Sequence, residues 1–201
     1  MPSDETGNFT TAATDQLKYL LFEAPRTQKG AISHRTNQTQ LWSDFLYMAP
    51  PFIAYYGALQ SEPQGDSLLW MAYEQVKLYR EELFDKKVGL WRHTALGNKT
   101  DDKHWATGNA WAAAGALRVL ATIQHSRASK SESMRSHQKD LMKWVGETLD
   151  GVWKFQVGVH PFLPSYFVLS YVYLCLFKIS TSPLEKERDT PKLHRPSNLV
   201  P

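Results

Sequence analysis

Gln40-Leu41-Trp42-Ser43-Asp44-Phe45-Leu46-Tyr47-Met48-Ala49-Pro50-Pro51-Phe52 opens a stretch that stays apolar through Ile53, Tyr55 and Tyr56. A helix with apolar residues around most of its circumference belongs among other helices, not at a wet surface. Pro50-Pro51 would break a helix interior, so this helix is expected either to begin near the pair or to kink there. On both sides the pattern changes. Ala13, Leu17, Leu20 and Leu21 upstream, and Leu69, Tyr73, Val76 and Leu83 downstream, recur at helical spacing with polar residues between them, as in helices that keep one face in water. After Trp105 comes another nearly all-apolar run, Trp111-Ala112-Ala113-Ala114-Gly115-Ala116-Leu117-Arg118-Val119-Leu120, whose small residues let a neighbouring backbone approach closely. Leu141, Trp144, Val145, Thr148, Leu149 and Val152 then mark a further amphipathic helix ending near Phe155.

A repeat accompanies this alternation. Gly30-Ala31-Ile32-Ser33-His34 returns as Gly89-Leu90-Trp91-Arg92-His93, 59 positions on. Each copy follows a charged turn and precedes a polar loop and a Trp-containing helix start, so the unit is helix, turn, short extended segment ending in His, loop, helix. Alternating amphipathic and apolar helices predict two concentric layers, an (α/α) toroid. Six such hairpins would need roughly 360 residues at this period, and 201 residues hold about three. The expected fold class is all-α, a partial (α/α)6 barrel. Residues 1–156 form the barrel domain in this reading. Residues 157–201 change texture, with an apolar run from Phe162 to Ile179 followed by a polar, proline-rich end, and are read as an aberrant or non-homologous tail.

Composition narrows the function. The 23 basic and 20 acidic residues are scattered, with no basic stripe to follow a phosphate backbone, so nucleic acid is not an expected partner. A single cysteine, Cys175, excludes an internal disulfide and a cysteine metal cluster; no cofactor or metal is expected. The polar, acidic N-terminal residues lack the basic and apolar regions of a secretory signal. Phe162 to Ile179 is short for a membrane span and is interrupted by Pro164 and Lys178. Seven Trp, nine Tyr and nine Phe suit either a large core or a surface that stacks on sugar rings.

The Gln40–Phe52 string, Gly89-Leu90-Trp91-Arg92-His93 and His104-Trp105-Ala106-Thr107-Gly108-Asn109-Ala110-Trp111, in this order and spacing, resemble glycoside hydrolase families 88 and 105, the six-hairpin glycosidases. The phrasing is most similar to fungal members of the rhamnogalacturonyl branch, over roughly residues 7–156. The resemblance implies a hydrolase that removes a Δ4,5-unsaturated galacturonyl residue from pectin-derived oligosaccharides. It also implies that Asp44 is the general acid/base, that His93 contacts substrate or supports the acid, and that Trp42, Trp105 and Trp111 line the sugar site. The family's second Asp lies upstream of the hairpin that opens this chain. Thr107 stands where bacterial members carry Arg, which leaves a uronate carboxylate without that partner.

The implied chemistry needs one carboxyl that is first an acid and then a base. Protonating C4 of the vinyl ether creates an oxocarbenium-like centre at C5, water adds there, and the hemiketal opens and expels the aglycone, unlike displacement at C1 by two carboxylates. Plainer readings exist for each residue. Asp44 at a helix start can be an N-cap. His34 and His93 can both tie loops to neighbouring carbonyls, and for His34 that structural reading is preferred. Trp105 and Trp111, six apart, would fall on different faces of an ideal helix, one in the core and one on the sugar. Gly108-Asn109 is read as shaping the helix entry. The whole chain could also be an inactive fragment, or a helical carbohydrate-binding or interaction scaffold.

Overall fold

The computed structural model describes residues 3–155, with side chains from Asn8 onward. The expected tail at 157–201 and the Phe162–Ile179 run lie outside the described residues. Five α-helices follow in order: α1 (Ser3–Lys18), α2 (Phe45–Ala58), α3 (Gln64–Leu83), α4 (Ala106–His125) and α5 (Glu132–Phe155). Helix α1 continues into one wider turn at Tyr19–Glu23.

Helix α2 packs on both α3 and α4, and α4 packs in turn on α5, whereas α3 and α5 meet only lightly. Thus α2 and α4 are inner helices and α3 and α5 outer ones, an arc of an (α/α) barrel. The apolar patterns predicted this division. Ile53 and Ala54 of α2, and Val119, Leu120 and Ile123 of α4, are fully buried. The outer helices bury only one stripe each, Leu69, Tyr73, Val76 and Leu83 on α3 and Leu141, Val145 and Thr148 on α5. Among the described residues no helix is long and apolar enough to cross a membrane.

Of the two arrangements expected for the proline pair, a helix start there does not hold, because α2 starts at Phe45 and runs through Pro50 and Pro51. Pro50 has no N–H to give the carbonyl of Leu46, its partner four residues back. Helix α4 compensates by coming very close at that point: a Cβ on Gly115 would overlap the Leu46 carbonyl. The gap in the helical ladder therefore coincides with a very close approach of the two inner helices.

Short paired segments sit where outer helices hand over to inner ones. Strands β2 (Phe84–Asp85) and β3 (Leu90–Trp91) form a small hairpin, while β1 (Leu41–Trp42) pairs antiparallel with β4 (Thr94–Ala95), Leu41 opposite Ala95 and Trp42 opposite Thr94. The repeat is visible in the backbone. Gly30 and Gly89 both turn with positive φ, +96° and +80°, a conformation that side chains disfavour. Each following segment is anchored to helices. The Ile32 N–H donates to Gln75 Oε1 (2.8 Å) and Tyr79 donates to the Ile32 carbonyl (2.6 Å). In the second copy the Trp91 N–H donates to Asn109 Oδ1 (2.8 Å) and the Trp91 indole to Thr148 (2.9 Å).

Two glycine substitutions test the packing. Gly115→Ala is expected to lower stability by about 1–3 kcal/mol through overpacking. Gly146→Ala, inside α5 with nothing within 4 Å of the new methyl, is expected to raise it by about 0.5–1 kcal/mol. Urea unfolding of both variants checks the pair of opposite signs.

Candidate active site

Asp44 immediately precedes α2, yet its side chain makes no capping hydrogen bond. It is 7% exposed. Its Oδ2 lies 3.8 Å from His93 Nε2 and 3.5 Å from Ser43 Oγ. The first distance is too long for a hydrogen bond, and His93 Nε2 is buried with no hydrogen-bond partner among the described residues. A carboxyl and an unpartnered ring nitrogen thus face each other across a narrow gap, and a buried polar atom left without a partner is uncommon.

Backbone pairing explains the placement. The Ser43 N–H donates to the His93 carbonyl (2.9 Å), extending the β1–β4 ladder by one bond. The His93 N–H donates to the Lys103 carbonyl, and Thr94 pairs with Asp101, so the loop after β4 folds back on itself. This brings Asp101 Oδ2 to 3.1 Å from His93 Nδ1. Asp101 is also held by the Lys103 N–H on Oδ1 (3.1 Å), and its carboxyl sits below the usual carboxylate range, first because of the His93 hydrogen bond and then the Lys103 N–H. A carboxylate on Nδ1 favours the ring proton there and turns the Nε2 lone pair toward Asp44.

Aromatic rings form one connected wall. The Trp42 indole N–H is held by Gln40 Oε1 (2.9 Å). His34 stacks on Trp42 at 5.0 Å and His93 meets it edge-on at 5.2 Å. Trp105 lies 4.9 Å from His93, and Trp111 lies 6.0 Å from Trp105 at a steep angle. The expectation that the last two occupy different faces fails for a simple reason. Trp105 is extended (φ −70°, ψ 126°) and stands before the first turn of α4, so the helical rotation does not apply to it. Asn109 holds this entry in place, donating to the Trp91 and Trp105 carbonyls, each at 3.0 Å. Thr107 is exposed in the first turn of α4.

Two residues join the site that sequence reasoning did not assign to it. Asp101 lies in a polar loop without periodicity, and only the Thr94–Asp101 pairing reveals its role. His34, read as a structural histidine, does donate its backbone N–H to the Gln40 carbonyl, but its ring belongs to the wall beside Asp44. The repeat relating His34 to His93 was the available signal. Burial lowers the His34 pKa from 6.5; the Asp44 charge raises it, and Arg35 and His93 lower it. Among the described residues no group of His, Cys, Asp or Glu side chains converges as a metal site.

The model of Glycosyl Hydrolase Family 88 matches residues 4–157. The chain belongs to this family. Among solved structures, this family 88 chain is similar to a possible member of glycoside hydrolase family 105 from Salmonella enterica serovar Paratyphi A (TM-score 0.70, 20% identity, covering 88% of this chain and 50% of that one). It is similar also to a family 105 glycoside hydrolase from C. acetobutylicum ATCC 824 (0.66, 18%, 88% and 54%) and to a polysaccharide lyase (0.59, 13%, 91% and 51%). At these identities the structures show a shared fold. The chain spans about half the length of the solved structures it matches. No curated protein matches it.

His34 offers a test of the site's electrostatics that needs no turnover. Because burial disfavours its charged form, the ring is expected to titrate below 6.5, as followed by NMR. Asp44→Asn removes the neighbour that favours the charge and is expected to move the titration lower still. The unfolded chain takes up this proton first, so His34 makes the fold less stable as pH falls below 6.5.

Proposed function

We propose that the protein removes a Δ4,5-unsaturated galacturonyl residue from pectin-derived oligosaccharides by protonating and hydrating the C4=C5 bond. The observation that carries this reading is the buried Asp44 carboxyl, unused as a helix cap, facing the free Nε2 of a histidine whose other nitrogen is fixed by Asp101.

In this account Asp44 is the proton donor and acceptor, and the His93 ring faces it across the gap. Asp44 gives the proton to C4, and positive charge develops at C5 and the ring oxygen. Asp44, now a carboxylate, takes a proton from the water that adds to C5. The hemiketal then opens and releases the aglycone. One carboxyl serves both transfers, so the reaction does not require a second carboxylate placed for attack at C1. Trp42, Trp105 and Trp111 with His93 form the substrate-binding wall, and the partially exposed Trp105 face is available for sugar stacking. No cofactor takes part. Family membership supports glycoside hydrolysis, and the neighbouring polysaccharide lyase shows that the fold by itself does not choose between hydrolysis and elimination. We assign this activity to a domain spanning residues 1–156, with 157–201 as a separate tail.

Unsaturated rhamnogalacturonan disaccharide provides the assay, since hydration abolishes the ultraviolet absorbance of its conjugated double bond. Asp44→Asn in the full-length gene product is expected to slow this loss by about 10²–10⁴-fold. An unchanged rate would remove Asp44 from the chemistry; saccharide binding without turnover in either form is the behaviour of a carbohydrate-binding scaffold.

A further inference from the structure

The substrate proposed above carries its carboxylate directly on C5, an atom of the reacting bond. Bringing that charge to a rim that already holds the Asp44 and Asp101 carboxyls requires a fixed cation. The geometry points to Arg35 as that cation, the guanidinium that receives the uronate carboxylate and selects acidic over neutral sugars. This inference rests on the functional reading above.

Arg35 is in the right place. Its guanidinium carbon lies 5.9 Å from the centroid of Trp42, the same indole that His34 covers and His93 meets edge-on. The His34 ring feels the charges of Arg35, Asp44 and His93 together, so all four groups share one small region. Contact with the Trp42 face holds the guanidinium without consuming its N–H donors.

Arg35 is also available. Three other arginines of the arc are committed, Arg26 to the Leu20, Leu21 and Gly30 carbonyls, Arg80 to Glu147, and Arg118 to Tyr55, whereas Arg92, next to His93, is half-buried with its Nε unpartnered among the described residues and so lacks the exposed, open fork of Arg35. The Arg35 guanidinium has no ion pair or hydrogen bond among the described residues, although it stands exposed at the rim. A planar fork with all its donors open is matched to two carboxylate oxygens at once, which a lysine ammonium is not.

The backbone beneath it is pinned. The buried Ser33 hydroxyl oxygen accepts the N–H groups of Arg35 (3.1 Å) and Gln40 (3.0 Å). It also lies within donating distance of the Arg35 carbonyl (2.8 Å) and the Gln38 carbonyl (2.9 Å). One side chain thus closes the His34–Gln40 loop and fixes where Arg35 leaves it, reducing the ordering cost of binding.

Calorimetric titration of the full chain carrying Asp44→Asn, which holds substrate without turning it over, tests the assignment. The ligands are the unsaturated rhamnogalacturonan disaccharide and its uronate methyl ester, which differ by one charge. The acid is expected to bind at least about ten-fold more tightly than the ester, as charge-assisted hydrogen bonds imply. Adding Arg35→Gln is expected to abolish that preference while leaving ester binding unchanged, and Arg35→Lys to restore part of it. Lys103→Gln, which removes a nearby exposed charge, is expected to keep the preference. Equal binding of acid and ester by the parent, or a preference that survives Arg35→Gln, would overturn the assignment, as would equal weakening of both ligands. Because binding alone is read, failure here leaves the hydration chemistry to be judged by the absorbance assay, and failure there leaves carboxylate selection to be judged by this titration.

Discussion

Two residues of β1 pair with two of β4, and the Ser43 N–H to His93 carbonyl bond continues that ladder one step further. Everything in the site depends on this short pairing. It joins the segment before one inner helix to the segment before the next, so two stretches some fifty residues apart in sequence become neighbours at the rim. Asp44 follows Ser43, and His93 precedes Thr94. Once the ladder forms, Asp44 and His93 have no separate freedom to drift apart, and the carboxyl-to-imidazole gap is set by backbone hydrogen bonds, not by side-chain choice.

The scaffold keeps this pairing rigid by close contact between inner helices. Helices α2 and α4 touch where Gly115 meets the Leu46 carbonyl, one turn below the ladder. The proline pair leaves that carbonyl without its usual helical donor, and the absence of a side chain at Gly115 lets α4 fill the space. Outer helices act from the other side. Gln75 and Tyr79 of α3 fix the first copy of the repeat, and Thr148 of α5 fixes Trp91 in the second. Packing energy distributed over the arc thus ends in a few constrained atoms at the rim.

Much of the fold was legible because helix patterning reports burial directly. Leu69, Tyr73, Val76 and Leu83 mark one buried stripe, while the Trp111–Leu120 run is apolar enough to mark an inner helix. The repeat likewise announced a recurring unit with a histidine at its end. What the pattern could not show was pairing between distant segments. Asp101 enters the site only because the loop after β4 turns back, and nothing in a polar loop encodes that direction. His34 was read as structural, and its N–H does tie the loop to the Gln40 carbonyl; that its ring also stacks on Trp42 could not be seen, because a histidine that ties a loop and one that packs on a distant ring look identical in sequence. The Trp105–Trp111 spacing misled because helical periodicity was applied across a residue that lies outside the helix.

Proton delivery to C4 is the central claim, and product formed in heavy water reads it directly. NMR of the first-formed product, taken before exchange next to the new ketone, should show one deuteron at C4 on a single face, as expected if one fixed carboxyl delivers it. Initial product without deuterium at C4 would mean that the bond is cleaved by displacement at C1, and Asp44 would then have to act in a different chemistry.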